Sequence, residues 1–220
     1  MTKFKGDVSI VLGGAAGQGI QTVEEILTHA LKKSGYHVYA NKEYMSRIRG
    51  GGINTTEIRV SSKRVRAFVK RIDILVPFKQ GVLSWVKDRL GENTVVLGEK
   101  ENIEEEFLGN VNLVEVPLTK MAMEVGSQLY LNTTAAGLIV GLFHGDFKAV
   151  EEYLKKRFGS KGENVVKKNI EAAKKGYELG VKLCEDGTIK VEVERDERVK
   201  EEVLLTGTEA VGIGGPSPEA

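Results

Sequence analysis

The sequence predicts an α/β fold with a Rossmann-like, open, mostly parallel sheet flanked by helices, followed by an extended C-terminal linker. Three observations support this fold class. The apolar run at residues 8–12 ends in glycines and passes directly into a helical pattern, a second extended stretch follows that helix, and short apolar runs then alternate with helical segments. This order is typical of parallel strands that are connected by helices.

The first glycine-rich turn carries the residues Gly13, Gly14, Gly17, Gln18 and Gly19. Glycines allow a ligand to approach the backbone closely, and the free N–H groups at the start of the following helix favour an anion such as a phosphate. The spacing is not that of the G-x-G-x-x-G dinucleotide motif, because position 16 is alanine. The turn therefore suits phosphate binding but matches a nicotinamide site poorly. A turn that only builds the fold is the alternative.

The remaining elements follow in order. Residues 36–40 predict a second strand, which completes a βαβ unit with a right-handed crossover. Residues 53–60 look extended, with residues 65–69 as a candidate partner strand. Further strands are predicted at residues 72–78, 94–97 and 111–116, and helices at residues 80–90, 118–126, 133–143, 146–158 and 162–183. The helix at 133–143 is apolar on nearly all sides, which predicts that it is buried.

The character of the chain changes after residue 184. Residues 188–193 alternate like a half-exposed strand, residues 195–202 are a charge run typical of a solvated segment, and residues 203–215 suggest a strand, a turn and small residues. We therefore predict a first domain at residues 1–184, a linker at 185–202, and the truncated start of a second domain at 203–220.

Composition narrows the class of function. The formal net charge of +1 argues neither for nor against nucleic-acid or membrane binding. Cys184 is the only cysteine, so an intramolecular disulfide and a cysteine-held metal centre are both excluded, and a reducing compartment is favoured. The N-terminus lacks a signal-peptide core, and no run approaches the ~18 apolar residues of a membrane span. We expect a cytoplasmic protein without nucleic-acid or membrane partners.

A second glycine cluster follows the second predicted strand and contains Arg47, Arg49, Gly50 and Gly51. It should emerge at the same sheet edge as the first turn, where open α/β sheets bind their ligands. Two arginines can hold phosphate or carboxylate groups bidentately. The alternative is a glycine-rich loop at a subunit interface.

Other candidate chemistry is weaker. Glu43, just past the second strand, could accept a ribose hydroxyl in a nicotinamide site, but Lys42 beside it and the glycine spacing weaken that interpretation. No hydrolytic constellation and no histidine–carboxylate cluster with metal-ligand spacing stands out.

Taken together, these segments resemble the gamma domain of the 2-oxoacid:ferredoxin (acceptor) oxidoreductases. The resemblance spans about residues 6–182 and rests on the turn at 13–20, the loop at 47–51, residues 57–61, and Ala122 with residues 132–141. In that family the gamma part is a separate subunit or is fused ahead of the alpha part. Residues 204–212 are similar to the opening of the alpha, pyrimidine-type domain, although the family usually has Asn where this chain has Thr208.

The resemblance implies a thiamine diphosphate enzyme that oxidatively decarboxylates a 2-oxoacid, forms an acyl-CoA and passes electrons through iron–sulfur clusters to ferredoxin. This chain has no recognisable diphosphate–magnesium motif and one cysteine. Thiamine diphosphate, magnesium and iron–sulfur clusters are therefore expected on partner domains: the alpha and beta subunits, with a delta ferredoxin-like subunit as a further candidate.

For this chain the resemblance implies assembly, a homodimer of the domain, and coenzyme A binding at the two glycine clusters, with no catalytic residue of its own. The chain alone is expected to be inactive. Two alternatives stay open: an independent NAD(P)- or flavin-binding Rossmann-like protein, and a ligand-free scaffold or dimerisation domain.

Overall fold

The structure is a computed structural model that describes residues 2–15, 20–44 and 52–214. Its strands are β1 (Thr2–Lys5), β2 (Asp7–Ala15), β3 (His37–Tyr44), β4 (Ile53–Ser61), β5 (Ile74–Pro77), β6 (Val95–Gly98), β7 (Asn112–Glu115) and β8 (Ile189–Glu192). Its helices are α1 (Ile20–Lys33), α2 (Val82–Val86), α3 (Leu118–Val125), α4 (Leu131–Leu142), α5 (Phe147–Phe158), α6 (Glu163–Glu185) and α7 (Gly207–Gly214). None of these described helices is long and apolar enough to span a membrane.

Six strands form one open sheet in the order β3-β4-β2-β5-β6-β7. The strands β2, β5, β6 and β7 pair in parallel, whereas β4 is antiparallel to both of its neighbours. The central strands β2, β5 and β6 are almost entirely buried, as expected when both faces of a parallel sheet are covered. The predicted α/β, mostly parallel architecture is confirmed.

The first two predicted strands run in the same direction but do not pair. The strand β4 lies between them, and its residues pair with β2 on one side and with β3 on the other. Ile58 and Val60 of β4 pack under α1 in the main core, which holds this inserted strand in place. The expected βαβ unit, in which β2 and β3 would pair in parallel, is therefore corrected: the antiparallel strand β4 lies between them.

The prediction that residues 65–69 form a partner strand of β4 is wrong. Residues 62–73 contain no strand. Both edges of β4 are already paired, so no free row of backbone groups is left for another strand.

Helices cover the two faces of the sheet unequally. The helices α1, α4, α5 and α6 build the main core on one face, and α4 is buried along nearly its whole length, as predicted. The other face is covered by α2 and short 3₁₀ turns. The helix predicted at residues 80–90 ends early, because a 3₁₀ turn at Lys87–Arg89 follows α2.

The segment after α6 packs back onto the same body. The strand β8 pairs in parallel with β1, and the Asp196 N–H donates to the Gly35 carbonyl at 2.7 Å. Arg195 reaches the His144 carbonyl at 2.6 Å, and Val199 is buried. The charge run is thus docked rather than freely solvated. The domain boundaries at 184 and 202 stay a prediction, but the strand expected after residue 203 is wrong: residues 203–206 are irregular and α7 follows.

Candidate functional site

The carboxyl ends of β2 and β3 lie at one edge of the sheet, on either side of the same residue of β4. Gly14 of β2 and Tyr44 of β3 are both Cα partners of Asn54. The two glycine-rich segments therefore leave the sheet at the same edge, as the sequence predicts. This is the edge at which open α/β sheets form their ligand crevice.

The predicted site residues divide between described and undescribed parts of the chain. Gly13 and Gly14 lie at the buried end of β2. The other predicted residues lie outside the described residues, and their roles stay predictions: Gly17, Gln18, Gly19, Arg47, Arg49, Gly50 and Gly51.

Gly13 has a packing role that the sequence analysis did not foresee. A Cβ atom at this position would lie 2.5 Å from Cγ1 of Val82 in α2. The Gly13 carbonyl also accepts a hydrogen bond from the Phe78 N–H at 2.8 Å. This glycine is therefore required for close packing of α2 against the end of β2, whether or not a ligand approaches it.

Two helices at this edge hold carboxylates of the chain itself. Glu99 accepts hydrogen bonds from the Thr119 N–H at 2.8 Å and from its hydroxyl at 2.5 Å, at the start of α3. Glu104 accepts from the Ser84 N–H at 3.1 Å, in the first turn of α2. Each carboxylate lies where the positive end of a helix dipole favours negative charge.

The first turn of α1 differs, because it contains no acidic residue. The first carboxylate of α1, that of Glu24, lies one turn further along and pairs with Lys42 of β3, with 3.1 Å between Nζ and Oε2. Among the described residues, the first turn of α1 thus differs from those of α2 and α3 in having no carboxylate of its own, and the described cation Lys42 is paired one turn further along.

Asn54 adds a polar group that the sequence analysis missed. Strand alternation places it on the same face of the sheet as Ile58, which is the face that α1 covers. Its Oδ1 atom is buried and has no hydrogen-bond partner within the part of the chain that the structure describes. A buried acceptor left without a donor is unfavourable by about 1–3 kcal/mol, so a donor on a ligand would stabilise this edge. The available signal was an Asn near the start of a predicted extended stretch, directly after a run of glycines in the sequence.

Glu43 does not lie where a nicotinamide site needs it. It is exposed and pairs with Thr55, and alternation places it on the face opposite to Lys42 and α1. Because β4 separates β3 from β2, Glu43 is two strand spacings, about 9–10 Å, from the glycine-bearing strand. In a dinucleotide site the ribose-binding acid follows the adjacent strand, so the geometry argues against this alternative.

A second polar groove lies between α1 and α5, with a volume of about 580 Å³. In it, the Tyr153 hydroxyl donates to Glu25 at 2.5 Å, and Arg157 lies 3.5 Å from the same carboxylate. Burial, together with the hydrogen bond to Glu25, raises the pKa of Tyr153. Burial and, to a smaller extent, nearby lysines lower the pKa of His29. The Tyr153 hydroxyl and Arg157 both bind Glu25, and the described groups of this groove include no activated nucleophile.

The described residues also contain no group of three or more His, Cys, Asp or Glu that could hold a metal ion. The fold thus defines a class: a Rossmann-like α/β domain whose two glycine-rich segments follow strands that end at one sheet edge, with no metal-binding cluster among its described residues.

Comparison with known proteins narrows this class to one family. The family model described as "Pyruvate ferredoxin/flavodoxin oxidoreductase" matches residues 9–179, and the chain belongs to this family. This confirms the resemblance seen in the sequence. A Sulfolobus 2-oxoacid:ferredoxin oxidoreductase subunit alpha is 45% identical over 71 residues, which cover 32% of this chain and 11% of the relative.

Two solved structures share the fold. The 2-oxoglutarate:ferredoxin oxidoreductase of Magnetococcus marinus, described with 2-oxoglutarate, coenzyme A and succinyl-CoA bound, superposes with a TM-score of 0.82 at 26% identity over 96% of this chain and 37% of its own. The gamma subunit of a keto/oxoacid ferredoxin oxidoreductase from Geobacter sulfurreducens superposes with a TM-score of 0.60 at 22% identity, covering 80% of this chain and 99% of its own. This chain thus spans about a tenth of the Sulfolobus relative and over a third of the Magnetococcus chain.

Proposed function

We propose that this chain is the gamma component of a multisubunit 2-oxoacid:ferredoxin oxidoreductase, which oxidatively decarboxylates a 2-oxoacid to an acyl-CoA. The family match over residues 9–179 carries this proposal. The chain contributes assembly and part of the coenzyme A site. The thiamine diphosphate, magnesium and iron–sulfur chemistry belongs to other domains, since one cysteine supplies too few thiolates for a cluster.

The coenzyme A proposal rests on the sheet edge at α1. Coenzyme A carries a diphosphate and a 3′-phosphate, and these anions suit a helix whose described first turn contains no acidic residue. We assign phosphate contacts to the turn at Gly13, Gly14, Gly17, Gln18 and Gly19 and to the loop at Arg47, Arg49, Gly50 and Gly51. The buried Asn54 acceptor fits an N–H donor of the same ligand. The Magnetococcus relative, which is described with coenzyme A bound, supports the choice of ligand.

The partners follow from the same proposal. They are the alpha and beta subunits or domains, a delta ferredoxin-like subunit as a further candidate, ferredoxin as the electron acceptor, and a second copy of this domain. We place the assembly in the cytoplasm. Purification of the chain from its host should bring down larger chains that carry thiamine diphosphate and iron. Elution of the chain alone, at its own mass, would contradict the assembly.

Coenzyme A binding is tested in the assembled enzyme with the double variant Arg47→Ala/Arg49→Ala. We expect the apparent KM for coenzyme A to rise at least tenfold, equivalent to about 1.4 kcal/mol, while the KM for the 2-oxoacid is unchanged. The matched control is Arg64→Ala/Arg198→Ala, which removes two exposed arginines, one after the end of β4 and one in the segment after β8, at the opposite edge of the sheet, and should leave both constants unchanged. An unchanged KM for coenzyme A in an intact complex refutes the assignment.

Direct titration of the chain separates the remaining alternatives. Coenzyme A should bind wild-type protein and bind Asn54→Leu more weakly, with a heat signal that does not depend on turnover. Tighter binding of NADH than of coenzyme A would favour the independent nicotinamide protein. A ligand-free scaffold predicts no thermal shift with any nucleotide and a melting temperature that depends on partner or dimer concentration.

A further inference from the structure

The segment between β4 and β5 concentrates positive charge on a chain whose net charge is only +1. Residues 62–72, here called the basic loop, contain five cations and no acidic residue: Lys63, Arg64, Arg66, Lys70 and Arg71. The loop begins at the end of β4 and ends at the start of β5, beside the amino end of β2. It therefore starts and ends at the edge of the sheet opposite to the candidate coenzyme A site.

The basic loop is held in one conformation by two arginines from outside it. Arg59 of β4 donates to the Ala67 carbonyl at 3.0 Å. Arg89 donates to the Lys70 carbonyl at 2.9 Å and to the Val69 carbonyl at 3.3 Å. These bonds occupy backbone carbonyls that an irregular loop would otherwise leave to water.

Both arginines are anchored in turn by carboxylates of the sheet. Arg59 forms a bidentate pair with Asp7, with both N–O distances 2.9 Å. Arg89 pairs with Glu57, whose residue is only 4% exposed. Burying such a charged pair adds little net stability, because desolvation offsets the attraction between the charges. Its structural consequence is a fixed loop.

The loop carries cations before and after an exposed aromatic residue in the sequence. Arg64 pairs with Glu202, and Arg71 pairs with Asp7 and Asp73. Within the part of the chain that the structure describes, Lys63, Arg66 and Lys70 form no ion pair and are exposed.

Phe68 lies among these three cations in the sequence and is 52% exposed. Cations around a central aromatic side chain are typical of a protein interface in which the ring fills a pocket and the charges set orientation and association rate.

We infer that the basic loop is a docking surface for an acidic protein surface, with Phe68 inserted into an apolar recess of that partner. The fixed backbone reduces the conformational entropy that docking would otherwise lose. A single exposed ring is not the row of stacking platforms that single-stranded nucleic acids require, and the near-neutral chain lacks the overall field that they favour. This inference does not depend on the coenzyme A site.

The test measures binding of the full chain to a fluorescein-labelled 20-residue Glu/Leu peptide by anisotropy at 50 and 200 mM NaCl. Wild-type protein should bind, and more weakly at the higher salt because the charges are screened. The variant K63E/R66E/K70E should lose at least tenfold in affinity. Phe68→Ala should also weaken binding, and the factor of this loss should be the same at 50 and at 200 mM NaCl.

The matched control is K148E/K161E/K182E, which changes the net charge by the same amount at exposed lysines of α5, the 3₁₀ turn after it and α6. It should bind within twofold of wild type, and thermal unfolding should show that both triple variants fold. Failure of wild type to bind the peptide, or equal losses in the two triple variants, overturns the inference. Tighter binding of a single-stranded oligonucleotide or of phosphatidylglycerol vesicles than of the peptide overturns the choice of partner.

Discussion

Glycines allow α4 and α6 to pack backbone against backbone. A Cβ atom at Gly176 of α6 would lie 1.9 Å from the Thr134 carbonyl oxygen of α4. A Cβ atom at Gly137 of α4 would lie 2.0 Å from the Ala173 carbonyl oxygen of α6. Because α1 packs on α4, this close approach also supports the helix that starts at the candidate site.

We predict that Gly176→Ala strongly destabilises the fold. To bring the new methyl group from 1.9 Å to the 3.4 Å of ordinary contact, the helices must separate by about 1.5 Å at this point. The opposing atom is backbone, so no side-chain rotation relieves the clash. Inserting a methyl group into a well-packed core usually costs about 1–3 kcal/mol of stability. Because the new methyl group would meet backbone atoms, we expect the cost at Gly176 to reach or exceed the upper end of that range. The better helix propensity of Ala returns at most about 1 kcal/mol, which leaves a net loss of about 2–3 kcal/mol.

Urea unfolding followed by far-UV circular dichroism measures this loss on the full chain. At about 2–4 °C per kcal/mol for a chain of this size, the melting temperature should fall by roughly 4–12 °C. Gly159→Ala is the matched control, because Gly159 has helical φ and ψ of −55° and −39° and a Cβ atom there meets nothing within 4 Å. It should stay within about 0.5 kcal/mol of wild type. Equal stabilities of the two variants would refute the reasoning.

Two further predictions concern buried charge and the single thiol. Arg89→Ala leaves the Glu57 carboxylate buried without its cation and should lower the free energy of unfolding by about 3–5 kcal/mol. The double variant Glu57→Gln/Arg89→Met should recover part of this stability, because it removes both charges. A loss under about 1 kcal/mol for Arg89→Ala in a urea titration would contradict the prediction. Burial, with Asp186 and Glu185 nearby, raises the pKa of Cys184 to about 11. Because the thiolate is the nucleophile, the reaction of Cys184 with iodoacetamide at pH 8 should be about a hundredfold slower in folded than in urea-unfolded protein. The rate in the folded protein should rise tenfold per pH unit up to that pKa. Equal rates in folded and unfolded protein would refute this prediction.

Local patterns were sufficient for much of the fold. The apolar character of residues 133–143 on all sides predicted burial, and α4 is buried. Asp146 predicted the start of α5, and its side chain accepts from the Lys148 N–H at 2.9 Å. These features depend on residues a few positions apart, so the sequence contains the whole signal.

Strand partners could not be predicted in the same way. Alternation in residues 53–60 shows which side chains share a face, but it does not say which strands lie on either side. The insertion of β4 between β2 and β3, and the resulting exclusion of residues 65–69 from the sheet, depend on pairings between distant segments. The return of β8 to β1 joins residues nearly the whole chain apart.

The same distinction between local patterns and distant contacts holds for the candidate site. The sequence by itself determined that the two glycine-rich segments follow strands that end at one sheet edge, and it determined the family, because these depend on local motifs in a fixed order. Only the tertiary structure decided that Gly13 packs against Val82 and that the Oδ1 atom of Asn54 is buried without a donor among the described residues. It also decided that Glu99 and Glu104 bind the starts of α3 and α2, whereas the first turn of α1 holds no acidic residue among those described. Those contacts join segments some twenty or more residues apart, and no local pattern records which groups will meet across that distance.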